Sequence, residues 1–193
     1  MPGLRVGVAS KPMKGFEVNG DAHLHLEAEG RSLVAVFDGL GHGADASVAS
    51  ERARRYVETH ALDGLEELFH GCHAEIEDTR GVCMGVFRVD RGSGRIEYCG
   101  VGNTAAWILG EEHRRMVSVS GIVGYTMESL LRFEYRYDRE TVLMLHTDGV
   151  SSRFSLPSLG AVRDDPQRAA EEILEGWGKE TDDATVVIAV ERR

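Results

Sequence analysis

The chain has 193 residues, 42% of them apolar and 28% charged, with 32 acids against 22 bases and a formal net charge of -10. That length suits one domain with a sizeable core, expected to span residues 1–193. The acidic balance excludes a nucleic-acid binder built on a basic patch, and it does not attract an anionic membrane surface.

No apolar run approaches the length of a membrane span. Met1 to Ser10 is short and carries Arg5 inside an alternating pattern, unlike a signal peptide. Cys72, Cys83 and Cys99 are widely spaced, odd in number and form no CxxC pair. They read as reduced core thiols of a cytoplasmic protein.

Leu4 to Ala9 reads as a first strand, and Lys11 to Gly20 as a loop. Ala22 to Ala28 alternates apolar and polar, the pattern of a half-buried antiparallel strand. After the turn at Glu29-Gly30-Arg31-Ser32, the apolar run Leu33 to Phe37 returns beside it as a buried strand. This hairpin brings Asp21, at the start of one strand, close to Asp38, at the end of the next. Asp38 opens Asp-Gly-Leu-Gly-His-Gly, a turn whose glycines let a ligand approach backbone.

Asp45 to His60 has helical spacing, with Ala46, Ala49, Ala53, Tyr56 and Val57 on one face. A second helix is expected over Leu62 to Glu77, despite Gly64 and Gly71. From Arg80 the period becomes two. Strands follow over Val82–Val89, Arg95–Val101, Thr104–Leu109 and Arg115–Val119, with turns at Asp90–Gly94, Gly102-Asn103 and Gly110–His113. Gly121 to Leu131 is a loop or short lid, and Phe133, Tyr135 and Tyr137 alternate on a further strand. Thr141 to Leu145 is apolar and ends in His146-Thr147-Asp148-Gly149-Val150. Ser151 to Val162 is expected to be loop, Pro166 to Trp177 helix and Val186 to Val190 the last strand, preceded by Asp182-Asp183-Ala184-Thr185. The expected class is α+β: two stacked antiparallel sheets flanked by helices, an αββα sandwich.

In such a sandwich, strand starts and strand ends meet at the same rim. Asp21 and Asp183 or Asp182 directly precede strands, whereas Asp38 and Asp148 follow them, each as Asp-Gly, so Asp21, Asp38, Asp148 and Asp182 can converge. Any one of them can be a turn cap. Four together repel one another unless cations neutralise them, and hard oxygen ligands suit Mg²⁺ or Mn²⁺ rather than zinc. Carboxylates holding two such cations suit phosphate-ester hydrolysis, because the metals acidify and orient water and stabilise phosphoryl charge. No Cys-x5-Arg and no P-loop is present.

Asn19-Gly20-Asp21-Ala22, the Asp38–Gly43 turn, Thr147-Asp148-Gly149-Val150 and Asp182–Val187 occur in the order and spacing of a known family. The chain resembles the PPM-type metal-dependent serine/threonine protein phosphatases. Within them it is similar to the compact bacterial branch of the stage II sporulation and stressosome phosphatases. The resemblance implies a site for two Mn²⁺ or Mg²⁺ ions. Asp38 would bridge them, the Gly39 carbonyl would ligate one, and Asp148 and Asp182 would hold the other. Asp21 would bind a metal or orient its waters, and Asp183 would support these ligands from behind. The implied substrates are phosphoserine and phosphothreonine on stressosome scaffold and antagonist proteins, and a monomer is expected.

Four departures from the family pattern stand out. Gly20 replaces a Glu found in many members, Leu40 replaces a His found in some, only Lys11 and Lys14 lie upstream where the eukaryotic branch has an Arg, and Gly121–Leu131 is short. His42 either protonates the leaving alkoxide or is a structural residue of its turn. His146 is either a hydrogen-bonded core histidine or an outer support of the ligands. Two other functions remain open: a non-catalytic phosphoprotein-binding regulator of the same fold, and a hydrolase of small phosphate esters.

Overall fold

The computed structural model describes residues 3–110 and 113–192, so Glu111 and Glu112 of the expected Gly110–His113 turn lie outside the described residues. The fold starts from a tight hairpin. Strand β1 (Leu4–Lys11) is followed by β2 (Asp21–Ala28) and β3 (Arg31–Gly39). Between β2 and β3 only Glu29 and Gly30 turn the chain, with φ of 50° and 79°. Two positive φ angles in a two-residue loop match the twist of the flanking strands and fix the register. Ala28 pairs with Arg31, and counting back along the ladder pairs Asp21 with Asp38.

Helices α1 (Ala44–Thr59) and α2 (Leu65–Glu75) come next, then β4 (Val82–Asp90), β5 (Arg95–Val101), β6 (Ala105–Leu109) and β7 (Arg114–Arg115). Strands β8 (Phe133–Arg136) and β9 (Val142–His146), helices α3 (Leu159–Asp164) and α4 (Pro166–Trp177), and β10 (Ala184–Glu191) complete the chain. One sheet runs β1-β10-β9-β6-β7 and the other β2-β3-β4-β5-β8, each five-stranded, and all named pairs are antiparallel.

The uninterrupted apolar run in β3 has a simple cause. Leu33, Ala35 and Phe37 pack under α1 and α2, while Val34 and Val36 pack against Leu143, Leu145, Val187 and Ala189 of the other sheet. A strand covered on both faces loses its alternation. Strand β10 repeats this, with Val187 and Ala189 between the sheets and Val186, Ile188 and Val190 under α4. The expected αββα sandwich is therefore the observed one. Among the described residues, no helix is long and apolar enough to cross a membrane. The three cysteines are buried and unpaired.

Three local expectations are corrected. The stretch read as loop from Ser151 to Val162 contains the start of α3, whose first turn is capped by the Ser158 hydroxyl accepting from the Ala161 N–H at 3.3 Å. Pro157 and Gly160 mask that short helix in the sequence. The strand expected over Arg115–Val119 ends at Arg115, and Val119 makes one isolated bridge to Val101. The second helix starts at Leu65 because Gly64, its N-cap, is held by the Glu67 carboxylate at 3.1 Å from the Gly64 N–H.

Candidate metal centre

Asp21 and Asp38 face each other as ladder partners at one end of the β2–β3 hairpin. Asp148 directly follows the Thr147 that accepts strand β10's register, through Thr147 N–H donating to the Thr185 carbonyl at 3.1 Å. Asp182 and Asp183 lead into β10. The two sheets thus bring all five acids to one rim. Asp21 and Asp183 are buried, and Asp38, Asp148 and Asp182 are half-buried.

The electrostatics record the crowding. Asp38 has its pKa pushed up to about 8, first by burial and then by the charges of Asp21, Asp148 and Asp182. Asp21 is pushed up to about 7 by burial, with Asp183 and Asp182 adding to it, against hydrogen bonds from Thr147 and Thr185 that favour the ionised form. Asp182 is raised by burial and then by Asp148. Carboxylates this crowded resist ionising together, and bound cations would offset that repulsion.

Thr147 belongs to the Thr147–Val150 motif, and its task is visible only in three dimensions. Its hydroxyl donates to Asp21 Oδ2 at 2.7 Å and accepts from the Thr185 N–H at 2.9 Å. Asp183 Oδ1 accepts from the Met13 N–H at 2.8 Å, while its buried Oδ2 has no hydrogen-bond partner among the described residues. The place of the family's Glu is filled: a Cβ at Gly20 would stand 2.5 Å from Asp183 Oδ2 and 2.8 Å from Ala46 Cβ. Asn103 and Lys179, which the sequence did not single out as site residues, both reach Asp148. Asn103 donates to its Oδ2 and Lys179 to its backbone carbonyl, each at 2.5 Å.

The histidines separate. His146 is buried, its Nδ1 lies 2.9 Å from the Thr147 carbonyl, and its ring meets Phe154 edge-on at 5.4 Å between centroids. Burial lowers its pKa, as it does for a neutral core imidazole. His42 is exposed in the turn before α1, with its ring 4.5 Å from that of the half-exposed Phe16.

The donor set fits hard divalent cations. It offers carboxylate and backbone oxygens, and the Cys83 thiol beside Asp38 has its pKa pushed up to about 11 by burial, which keeps it from acting as a thiolate ligand. Among the described residues, no group of three or more His, Cys, Asp or Glu side chains forms a ready-made cage. Mg²⁺ does not require one, since it keeps several waters and takes one or two carboxylates.

The raised pKa values set a direction for stability. Below its folded-state pKa each Asp carries a proton that the unfolded chain has already released above about 3.8. The folded state then binds more protons than the unfolded state, so stability falls as pH rises through the window up to about 8. The melting temperature of the chelated protein is expected to drop between pH 5 and pH 8. Asp38→Asn, which lacks the most strongly shifted group, should drop less, and equal slopes would contradict the assignment.

Comparison with known proteins agrees with the fold. A protein solved in work on the bacterial stressosome, described as a modular system adapted to control secondary messenger signalling, is 32% identical with a TM-score of 0.88, covering 97% of this chain and 99% of its own. RsbX in complex with magnesium is 20% identical with a TM-score of 0.82, covering 98% of this chain and 96% of RsbX. The PP2C phosphatase domain of the Bacillus subtilis cell fate determinant SpoIIE, solved with a fragment of its regulatory domain, is 20% identical with a TM-score of 0.78, over 97% of this chain and 63% of that one. No curated protein matches the chain. Fold and family match together place the chain in the class of PPM-type serine/threonine protein phosphatases. Within that class, the chain belongs to the family described as Stage II sporulation protein E (SpoIIE), whose profile matches residues 28–192.

Proposed function

We propose that the chain is a metal-dependent phosphatase that hydrolyses phosphoserine and phosphothreonine on stressosome-type scaffold and antagonist proteins. It acts as a cytoplasmic monomer and resets a stress signal. The observation that carries this reading is the convergence of Asp21, Asp38, Asp148 and Asp182 on one rim, with the pKa of Asp38 raised to about 8. The 32% identity to a protein solved in stressosome work supports the substrate class.

Asp38 and the Gly39 carbonyl, with Asp21, Asp148 and Asp182, would hold two Mn²⁺ or Mg²⁺ ions. When bound, such ions acidify water and offset charge on the phosphoryl oxygens. The chain's own part is to orient these ligands. Thr147 fixes Asp21 Oδ2 through its hydroxyl, and Asp183 ties the β1–β2 loop to the start of β10 through Met13. Asp183 thus supports the ligands from behind, whereas His146 keeps the end of β9 packed through Thr147 and Phe154. His42, exposed in the turn that follows Asp38 and Gly39, would protonate the departing serine or threonine alkoxide.

The test is turnover of p-nitrophenyl phosphate and of a phosphoserine protein, each with Mn²⁺ and with chelator. Turnover of the phosphoprotein only with Mn²⁺ is expected. No turnover of either with Mn²⁺ would leave a phosphoprotein-binding regulator, and a preference for the small ester would sink the protein-substrate reading. His42→Gln separates the acid role. It is expected to lower kcat on the phosphoprotein about a hundredfold. The p-nitrophenyl ester, whose phenolate leaves without a proton, should be affected far less. An equal loss on both substrates would refute the acid assignment.

A further inference from the structure

The turn Gly102-Asn103 joins β5, in the sheet of Asp38, to β6, which pairs with β9 next to Asp148. It therefore crosses from one sheet to the other at the rim where the acids meet. Gly102 has φ of 90°, and a Cβ there would stand 2.2 Å from Cys83 Sγ. Cys83 is the ladder partner of Asp38. Only glycine lets the turn press this closely on the strand that neighbours Asp38. From that seat the exposed Asn103 reaches across and donates its amide to Asp148 Oδ2.

Among the described residues, Asp148 is otherwise held through its backbone and by the crowded Asp182. Its N–H is directed at the Asp38 carboxylate, and its carbonyl accepts from Lys179. Its carboxylate needs a partner that fixes orientation without changing charge. A Lys there would compete with a cation for the same oxygens, and an Asp would add to the repulsion already felt by Asp38 and Asp182. An amide avoids both. An ionised carboxylate only accepts hydrogen bonds, so the Asn103 NH₂ must face it.

We propose that Asn103 is a positioning residue for the Asp148 carboxylate. Its amide occupies Oδ2, leaves Oδ1 to face the cation, and ties the carboxylates of the two sheets into one register. This rests on the metal reading above. It predicts that the loss of Asn103 weakens cation binding without weakening the fold.

The experiment is calorimetric titration of Mn²⁺ into the full chain, freed of metal, for wild type, Asn103→Ala and Asn103→Gln. Thermal melting in chelator is measured alongside. Asn103→Ala is expected to weaken Mn²⁺ binding by about tenfold to a hundredfold, the range for partners that orient metal ligands. Its melting in chelator should match wild type. Asn103→Gln, which keeps the donor, should recover part of the affinity. Mn²⁺ affinity of Asn103→Ala within about twofold of wild type would overturn the proposal, because an orienting partner carries more than that. So would a loss of affinity matched by a fall in chelated melting temperature in both variants, which would make Asn103 a turn residue alone. Absence of Mn²⁺ binding by the wild type would instead overturn the metal reading, and the role of Asn103 with it.

Discussion

Asp38→Asn is expected to abolish turnover while making the metal-free protein more stable at alkaline pH. Asp38 is the acid most strongly affected by its neighbours, with burial and the charges of Asp21, Asp148 and Asp182 pushing its pKa up to about 8. An amide of nearly the same shape removes that charge and keeps the ladder pairing with Asp21 and Cys83, which is made by backbone. The fold therefore loses a repulsion and keeps its hydrogen bonds. The proposed cation site, however, loses its central ligand. Activity should fall by at least about a hundredfold, the upper end for residues that only support a ligand. The two signs together are the informative result. Activity assays with Mn²⁺ and melting curves in chelator at pH 8 measure them. Full activity in Asp38→Asn would refute the metal assignment. A lower melting temperature in chelator would show that Asp38 stabilises the fold instead of straining it.

Much of this site could be read along the chain because its acids obey strand grammar. The alternation from Ala22 to Ala28 and the apolar run from Leu33 to Phe37 are local patterns. Once the Glu29-Gly30 turn joins them, the pairing of Asp21 with Asp38 follows by counting. Asp148 and Asp182 needed only the further expectation that strand ends share a rim. The residues that hold these acids were not legible, because their partners are remote in sequence. The hydroxyl of Thr147 reaches Asp21, the amide of Asn103 reaches Asp148, and Asp183 ties down Met13. No periodicity encodes a side-chain hydrogen bond between strands of different sheets. Helix α3 escaped for another reason: its six residues are too few for a helical period to emerge, and Gly160 lies inside it. His42 shows the same limit, since its neighbour Phe16 comes from the loop before β2.

Gly39→Ala is the second change with a large expected effect, and its cause is space alone. A Cβ at Gly39 would stand 2.1 Å from the Ala46 carbonyl oxygen, 2.6 Å from its carbon and 2.8 Å from the Gly20 carbonyl oxygen. All three are backbone atoms, so no side chain can swing away. The first turn of α1 rests directly on the end of β3, and the Gly39 N–H donates to the Gly20 carbonyl at 3.3 Å. An added methyl must push α1 off the strand or move the strand end, and the strand end carries Asp38 and faces Asp21. Overpacking of this kind costs about 1–3 kcal/mol. The displaced ligands should also cost activity by at least about a hundredfold, as a misplaced catalytic geometry does. Gly176→Ala is the matched control. It lies inside α4, and nothing stands within 4 Å of its added Cβ. There the same substitution should stabilise the fold by about 0.5–1 kcal/mol, because alanine is the better helix former. Its activity should stay at the wild-type level. Denaturant melts and phosphatase assays on the pair measure both effects. Equal activity in the two variants would mean that the contact between Gly39 and α1 does not set the geometry of the acid rim.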